Sequence, residues 1–365
     1  MKIEVKQEKL NKALAAVSRV ASTRGQMPIL ADILLRTENG KLTIAATDLE
    51  VAITETISAK IIEEGSAAIP ARIFTEFVGN LPKIPVSIES EDQKTKISAG
   101  GFSSTINGGD ADEFPALPEV NEAKEISIPA AELRESINGV APVASNDSTR
   151  PILTGIYFYS TEDEIVMTAT DGYRLAEKKI SAKTGEEISA IIPASTLSEV
   201  SRLIGDGDGE VKIKLNDEQI GFTIGEISMT SRLIDGKFID YKQLIPSETE
   251  FSLSVERSEF VRVVRVAGIF ANNSAGSVLM KVSSEKQEIE VSALASELGE
   301  NSSAVDAEIS GDGDGQVVLN SKFLLDALNF VSGDKVDIKF SGKLSPVLLT
   351  GKKNNYNPII MPVKS

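Results

Sequence analysis

Ala169-Thr170-Asp171-Gly172-Tyr173-Arg174-Leu175 decides how this chain is read, because Ala46-Thr47-Asp48 stands 123 residues before it. Working outward, Pro151-Ile152-Leu153 repeats Pro28-Ile29-Leu30, Val143-Ala144-Ser145 repeats Val20-Ala21-Ser22, and Ile192-Pro193-Ala194 repeats Ile69-Pro70-Ala71, all at the same offset. One register held over four tripeptides marks an internal duplication. A third copy follows. Val266-Ala267-Gly268 lies 123 residues beyond its second-copy match, and Leu319-Asn320-Ser321 lies 127 beyond Ile192-Pro193-Ala194, which asks for a small insertion. The unit is about 120 residues, long enough for its own core. Domains are expected at 1–120, 124–246 and 249–365, with linkers near Pro118–Lys124 and Pro246–Glu250.

Each copy carries the same pattern. An amphipathic helix is predicted over Gln7–Ala21, Ala130–Pro142 and Glu256–Gly268, and a second opens at Ala71, Ala194 and Ser321, with Ile73, Phe74, Phe77, Val78 and Leu81 at helical spacing. Alternating strands lie between, as in Lys41-Leu42-Thr43-Ile44, Glu164-Ile165-Val166-Met167 and Glu288-Ile289-Glu290-Val291. Three such modules in a row form an arc whose two ends are unpaired sheet edges. Two copies joined head to tail about a two-fold axis would close the arc and remove both.

Composition excludes most chemistry. The 365 residues contain no Cys, His or Trp, which removes disulfides, Cys or His zinc sites, and imidazole-based catalysis. The first residues enter a charged strand pattern with no apolar signal core, and no apolar run reaches the roughly 18 residues of a membrane span, so a cytoplasmic protein is expected. Thirty-eight basic against 54 acidic side chains give a net −16, which on its face argues against nucleic acid. Distribution changes that reading: the helix segments taken as 8–24, 71–83, 130–142, 194–204, 257–268 and 321–332 carry +5 together and everything else −21. Helices lining a hole would make it mildly positive inside an acidic rim, suited to a polyanion held without base readout, although helix faces also carry Lys and Arg for solubility alone.

Gly205-Asp206-Gly207-Asp208-Gly209-Glu210 and Gly311-Asp312-Gly313-Asp314-Gly315 fall short of a calcium loop and occupy non-equivalent places in the repeat, so they read as turns. Asp48 and Asp171 are equivalent across two copies and read as turn-forming residues rather than catalytic carboxylates. A carboxylate-dependent hydrolase or sugar-binding repeat protein would need an acidic cluster near a pocket aromatic, and none is evident. A purely structural adaptor ring stays open.

Three repeats of this length, Thr170-Asp171-Gly172-Tyr173-Arg174-Leu175, Phe238-Ile239-Asp240-Tyr241-Lys242-Gln243-Leu244-Ile245-Pro246 and the terminal Ile359-Ile360-Met361-Pro362-Val363 together resemble the bacterial sliding clamp family, the β subunit of DNA polymerase III. The resemblance spans the whole chain. It implies an α+β fold of three tandem clamp repeats, helices lining a ring pore and antiparallel sheets outside, closed as a homodimer around double-stranded DNA. It implies no catalytic activity and no cofactor. The implied partners are the replicative DNA polymerase, the clamp loader and other proteins with clamp-binding peptide motifs, with no membrane.

Carried over position by position, the family's peptide cleft implies Leu153, Thr170, Gly172, Tyr173, Arg174, Leu175, Ile239 and Leu244 from the second domain, and Asn320, Phe323, Leu344, Pro346, Ile359, Met361 and Pro362 from the third. Copy two also stands out against copy one, having Gly172 and a Tyr173-Arg174 pair where copy one has Leu49-Glu50-Val51. Ile239 stands where the family usually has Pro and Phe323 where Tyr is common, and the chain ends Val363-Lys364-Ser365 rather than in Met-Arg. The DNA-facing positions implied are Arg24 and Arg150, then Arg72, Arg202, Arg262, Arg265 and Lys322. At the dimer junction Ile269 and Phe270 resemble the family's apolar pair, with Phe102 and Ile106 opposite.

Overall fold

A computed structural model describes residues 1–21, 27–182, 185, 187–206, 209–246, 248–271, 276–295, 299–311, 313–352 and 355–363. Arg24, Lys364, Ser365 and parts of both glycine–aspartate stretches (207, 208, 312) lie outside the described residues. Six α-helices occur among them: α1 (Gln7–Val17), α2 (Ala71–Gly79), α3 (Ala130–Val140), α4 (Ala194–Leu203), α5 (Arg257–Phe270) and α6 (Ser321–Leu328). Their starts agree with the repeat pattern to within one residue, but their ends do not. α3 stops before Pro142, whose ring disfavours helix at the residue before it, and a 3-10 turn over Ala141–Val143 takes over. With no such block, α5 runs on to Phe270.

The helix starts also correct the register of the third copy. α3 and α5 begin 127 residues apart, as do α4 and α6. The 123-residue match at Val266-Ala267-Gly268 is therefore a coincidence of small residues: it lies inside α5, whereas Val143-Ala144-Ser145 follows α3.

The chain gathers into two compact units, one of Met1–Arg134 with Glu199–Leu233, the other of Glu135–Ser198 with Ile234–Ser365. Strand pairing across the repeat boundaries is the reason. In the first unit a five-stranded antiparallel sheet runs Lys60–Glu63, Lys2–Lys6, Pro85–Glu91, Lys94–Ala99, Phe102–Asn107. Beside it an eight-stranded sheet joins Val51–Ser58 of copy one to Ile227–Arg232 of copy two, with Val51 opposite Ser231. In the second unit a twelve-stranded sheet contains the equivalent seam, Arg174–Ser181 of copy two against Tyr356–Ile360 of copy three, with Arg174 opposite Ile360. Leu10, Leu14 and Val17 of α1 and Phe74 and Val78 of α2 are buried in the first unit, as are Phe260, Val264 and Ala267 of α5 in the second. The first residue of a repeat's first helix also ties down the end of its second: Gln7 Nε2 donates to Val78 O (2.8 Å), and Arg257 donates to Leu328 O and Gly333 O.

Glu55 is an exception to the apolar layer beneath α1. It is 7% exposed and its Oε2 has no partner; burial raises its pKa, only partly opposed by Lys12. The equivalent residue in copy two is Lys178, paired at 2.9 Å with Glu135, which is itself the equivalent of Lys12. The polarity of the pair is inverted between copies. A carboxyl with a raised folded-state pKa costs stability once pH rises through that pKa and costs nothing below the unfolded value. Glu55→Gln is therefore expected to raise the melting temperature by roughly 2–4 °C at pH 8 and to lose that advantage by pH 4, as read by calorimetry.

Candidate functional site

The second seam is built from one turn. Thr170 Oγ1 donates to Arg174 O (2.6 Å) and accepts from Gly172 N (3.0 Å), while Asp171 Oδ1 accepts from Tyr173 N (2.9 Å) and Arg174 N (3.0 Å). Thr47 and Asp48 make the same four bonds in copy one. Both aspartates are thus turn formers. The turn needs a left-handed residue: Gly172 supplies it at φ +92°, whereas copy one forces Leu49 to +78°. The result is a Tyr173 that is 67% exposed, while its backbone carbonyl accepts from Met361 N at 2.9 Å and so holds the C-terminal strand beside the turn.

Arg174 faces inward. Its Nε donates to Asp171 Oδ2 (3.1 Å), Nη1 to Asp326 Oδ2 (2.7 Å) and Nη2 to Pro142 O (2.7 Å), and the guanidinium lies 4.4 Å from the centre of the Phe323 ring. Arg174, Pro142, Phe323 and Asp326, with Tyr356 and Ile360, line a narrow pocket. Burial raises the Tyr356 hydroxyl pKa, and the hydroxyl donates to Gly139 O.

The residues expected in the cleft divide by burial. Tyr173, Leu344, Ile239 and Leu244 are exposed; Leu153, Phe323, Pro346, Met361 and Pro362 are half-buried. Leu175 and Ile359 are instead core, packed with Ile191, Phe238, Tyr241 and Leu348, and can only form the floor. Thr170 is buried in its own turn. Asn320 caps α6, its Oδ1 accepting from Lys322 N (2.9 Å) and Phe323 N (3.2 Å). Asp326 and Pro142 were not anticipated. Asp326 does sit three residues after Phe323 on α6, a spacing that places both on one helix face.

Most of the basic positions are already paired. Arg72 meets Glu76 at 3.2 Å, Arg150 meets Asp147 at 3.0 Å and Arg262 meets Glu259 at 3.0 Å, all solvent-exposed contacts. The hydroxyl and backbone N–H of Thr149, then Arg150, hold the Asp147 carboxyl below its usual pKa. Such exposed pairs are screened by solvent and contribute little, so a phosphate can take the guanidinium readily. Arg265 and Lys322 are exposed without an ion-pair partner among the described residues. Arg202 is different: half-buried, paired with Glu199 and donating to Ala16 O, it is committed to internal contacts.

At the expected dimer junction Phe102 and Ile269 are exposed, at 54% and 61%, and Phe270 is half-buried. Ile106 is 6% exposed although it shares a strand face with Phe102, so burial deepens along that face and Ile106 is not a surface residue of the chain. No helix among the described residues is long and apolar enough to cross a membrane.

Three family models match in tandem, described as the DNA polymerase III beta subunit N-terminal domain over residues 1–118, central domain over 127–240 and C-terminal domain over 242–364. The beta sliding clamp of Staphylococcus epidermidis is 28% identical over 376 residues, with 100% of both chains covered. The crystal structure of the DNA polymerase sliding clamp from Bacillus subtilis aligns at 29% identity and a TM-score of 0.96, covering 100% of this chain and 99% of that one. The DNA polymerase III subunit beta from Pseudomonas aeruginosa aligns at 27% identity and 0.94, with 100% of both covered.

Proposed function

This chain belongs to the DNA polymerase III beta subunit family, the bacterial sliding clamps, and from that premise we propose that two copies close head to tail around duplex DNA and tether a polymerase through the cleft at the second seam. A sliding clamp is a processivity factor, so the chemistry excluded by composition is not needed. The ring divides into domains at 1–120, 124–246 and 249–365.

Strand pairing carries the reading. In each copy one long strand, Val51–Ser58, Arg174–Ser181 or the first part of Gly299–Ser310, takes the role of a seam strand. The first two pair with the last strands of the next repeat, Ile227–Arg232 and Tyr356–Ile360. Residues 299–306 pair only with Glu288–Ala295, and the last strand of copy one, Phe102–Asn107, pairs only with Lys94–Ala99, among the described residues. Two edges of the same kind are left over, one at each end of the repeat series. A two-fold axis brings each against the other's counterpart, covers Phe102 and Ile269, and pairs both of these leftover edges.

The test is native mass. A chain of 39.0 kDa is expected to sediment at about 78 kDa at micromolar concentration. A monomer there would contradict the ring.

A further inference from the structure

Beneath the second seam lies a polar network that the turn and the cleft do not use. Glu177, 4% exposed, accepts from the Tyr241 hydroxyl at 2.6 Å through Oε2 and from Asn357 Nδ2 at 3.2 Å through Oε1. Tyr241 and Tyr159 share a second hydroxyl contact at 2.8 Å. Burial, then the bond to Glu177, raises the Tyr241 pKa, so the hydroxyl remains a donor throughout the physiological range. Glu177 and Asn357 face each other across the seam, and Tyr241 descends on them from the segment that crosses over it. That segment is pinned apolarly by Phe238 stacked on Tyr157 at 5.2 Å, and Leu244 N donates to Tyr241 O at 2.9 Å, closing the 3-10 turn Lys242–Leu244.

The first seam supplies an internal control. Its strands pair in the same register, yet Thr54 stands in place of Glu177, Ser228 in place of Asn357, and Leu117, three residues after Phe114, in place of Tyr241. Thr54 Oγ1 reaches only Ser228 O, at 3.4 Å and in the open. The architecture of a seam therefore does not require a buried carboxylate. Burying one costs free energy unless it is fully bonded, so its presence at the seam with the exposed apolar cleft needs its own reason.

We propose that Glu177 and Tyr241 are positioning residues, clamping the segment Phe238–Ile245 across the second seam so that Ile239 and Leu244 stand ready for an apolar peptide. This rests on the cleft assignment above. A side chain held in its bound geometry before the partner arrives spares the ordering cost of binding, which is how residues out of reach of the peptide control its affinity.

The experiment uses the full-length dimer and a fluorescein-labelled peptide from the replicative polymerase, read by anisotropy alongside melting temperature. Tyr241→Phe is expected to weaken binding five- to tenfold and to lower the melting temperature, because Glu177 loses its shortest bond. Adding Glu177→Leu removes the buried carboxylate that this change leaves short of a partner, while Asn357 and Tyr159 are only half-buried and keep access to water, so much of the stability returns. Affinity is expected to stay low in that double variant, since the clamp is still gone. Recovery of affinity together with stability would reduce the network to a structural role and overturn the inference. So would a Tyr241→Phe protein within twofold of the parent while Tyr173→Ala with Met361→Ala binds at least tenfold more weakly. If that last pair leaves affinity unchanged, the cleft assignment falls, and this inference with it.

Discussion

Loaded onto a nicked circular plasmid and passed through gel filtration at about 0.2 M salt, the clamp is expected to elute with the DNA, and to be absent from that peak once the circle is cut. The reasoning starts from how little the chain can grip. With a net charge of −16 it is repelled by DNA at long range, and three of the arginines nearest the expected pore already hold carboxylates. Weak surface pairs can be exchanged for phosphates, but the exchange gains little and releases few counterions. Bound lifetime is then set by whether the DNA has an end. The expected contrast between circular and linear forms is on the order of a hundredfold in retained protein. Equal retention on both would mean ordinary binding. No retention on either would favour an adaptor that never holds DNA.

Arg174→Ala is expected to cost roughly 3 kcal/mol of stability, the range found when one partner of a largely buried ion pair is removed. Three acceptors and an aromatic face meet at this guanidinium, which is only 12% exposed, and its loss leaves Asp171 and Asp326 facing a common void. Arg174→Lys is expected to recover little, because one ammonium cannot span acceptors arranged around a planar fork. Calorimetry of the two variants, with peptide anisotropy beside it, reads the effect; affinity should fall more than tenfold in Arg174→Ala because Tyr173, its neighbour in the turn, loses its support. An alanine variant melting with the parent would show that the turn and α6 are held by something else.

The repeat pattern, the six helix starts and the aspartate turns were legible in the sequence because each is written in neighbouring residues: a tripeptide, a helical period, a side chain bonded to its own backbone. Features settled across long separations were not. Arg174 and Asp326 are 152 residues apart, and Tyr241 and Glu177 are 64, so no local pattern couples them. The resemblance named Arg174 for the cleft, but no local pattern announces the three bonds it makes to Asp171, Asp326 and Pro142. Leu175 and Ile359 line the pocket from beneath as core residues, a burial that only the sheet decides. Ile106 and Val266-Ala267-Gly268 show the opposite weakness, short apolar or small-residue matches that burial in the sheet or a helix start overrules. Arg202 looked like the other helical arginines until its contact with Ala16, 186 residues away, could be seen.

The inverted pair beneath the first helices bears on how a chain of three look-alike modules reaches its native state. The buried faces of α1 and α3 are alike, Leu10, Leu14 and Val17 matching Leu133, Ile137 and Val140, so apolar contacts alone would not tell the sheet of the first copy from that of the second. Landing wrongly sets Lys12 over Lys178 and Glu135 over Glu55, two like-charge encounters at sites that are 8% and 7% exposed in the native fold. Burial there without a counter-charge is prohibitive, while each correct landing meets an opposite charge. The two modules thus carry a lock and key that distinguishes self from sibling, and the unpartnered oxygen on Glu55 is what that discrimination costs the finished protein.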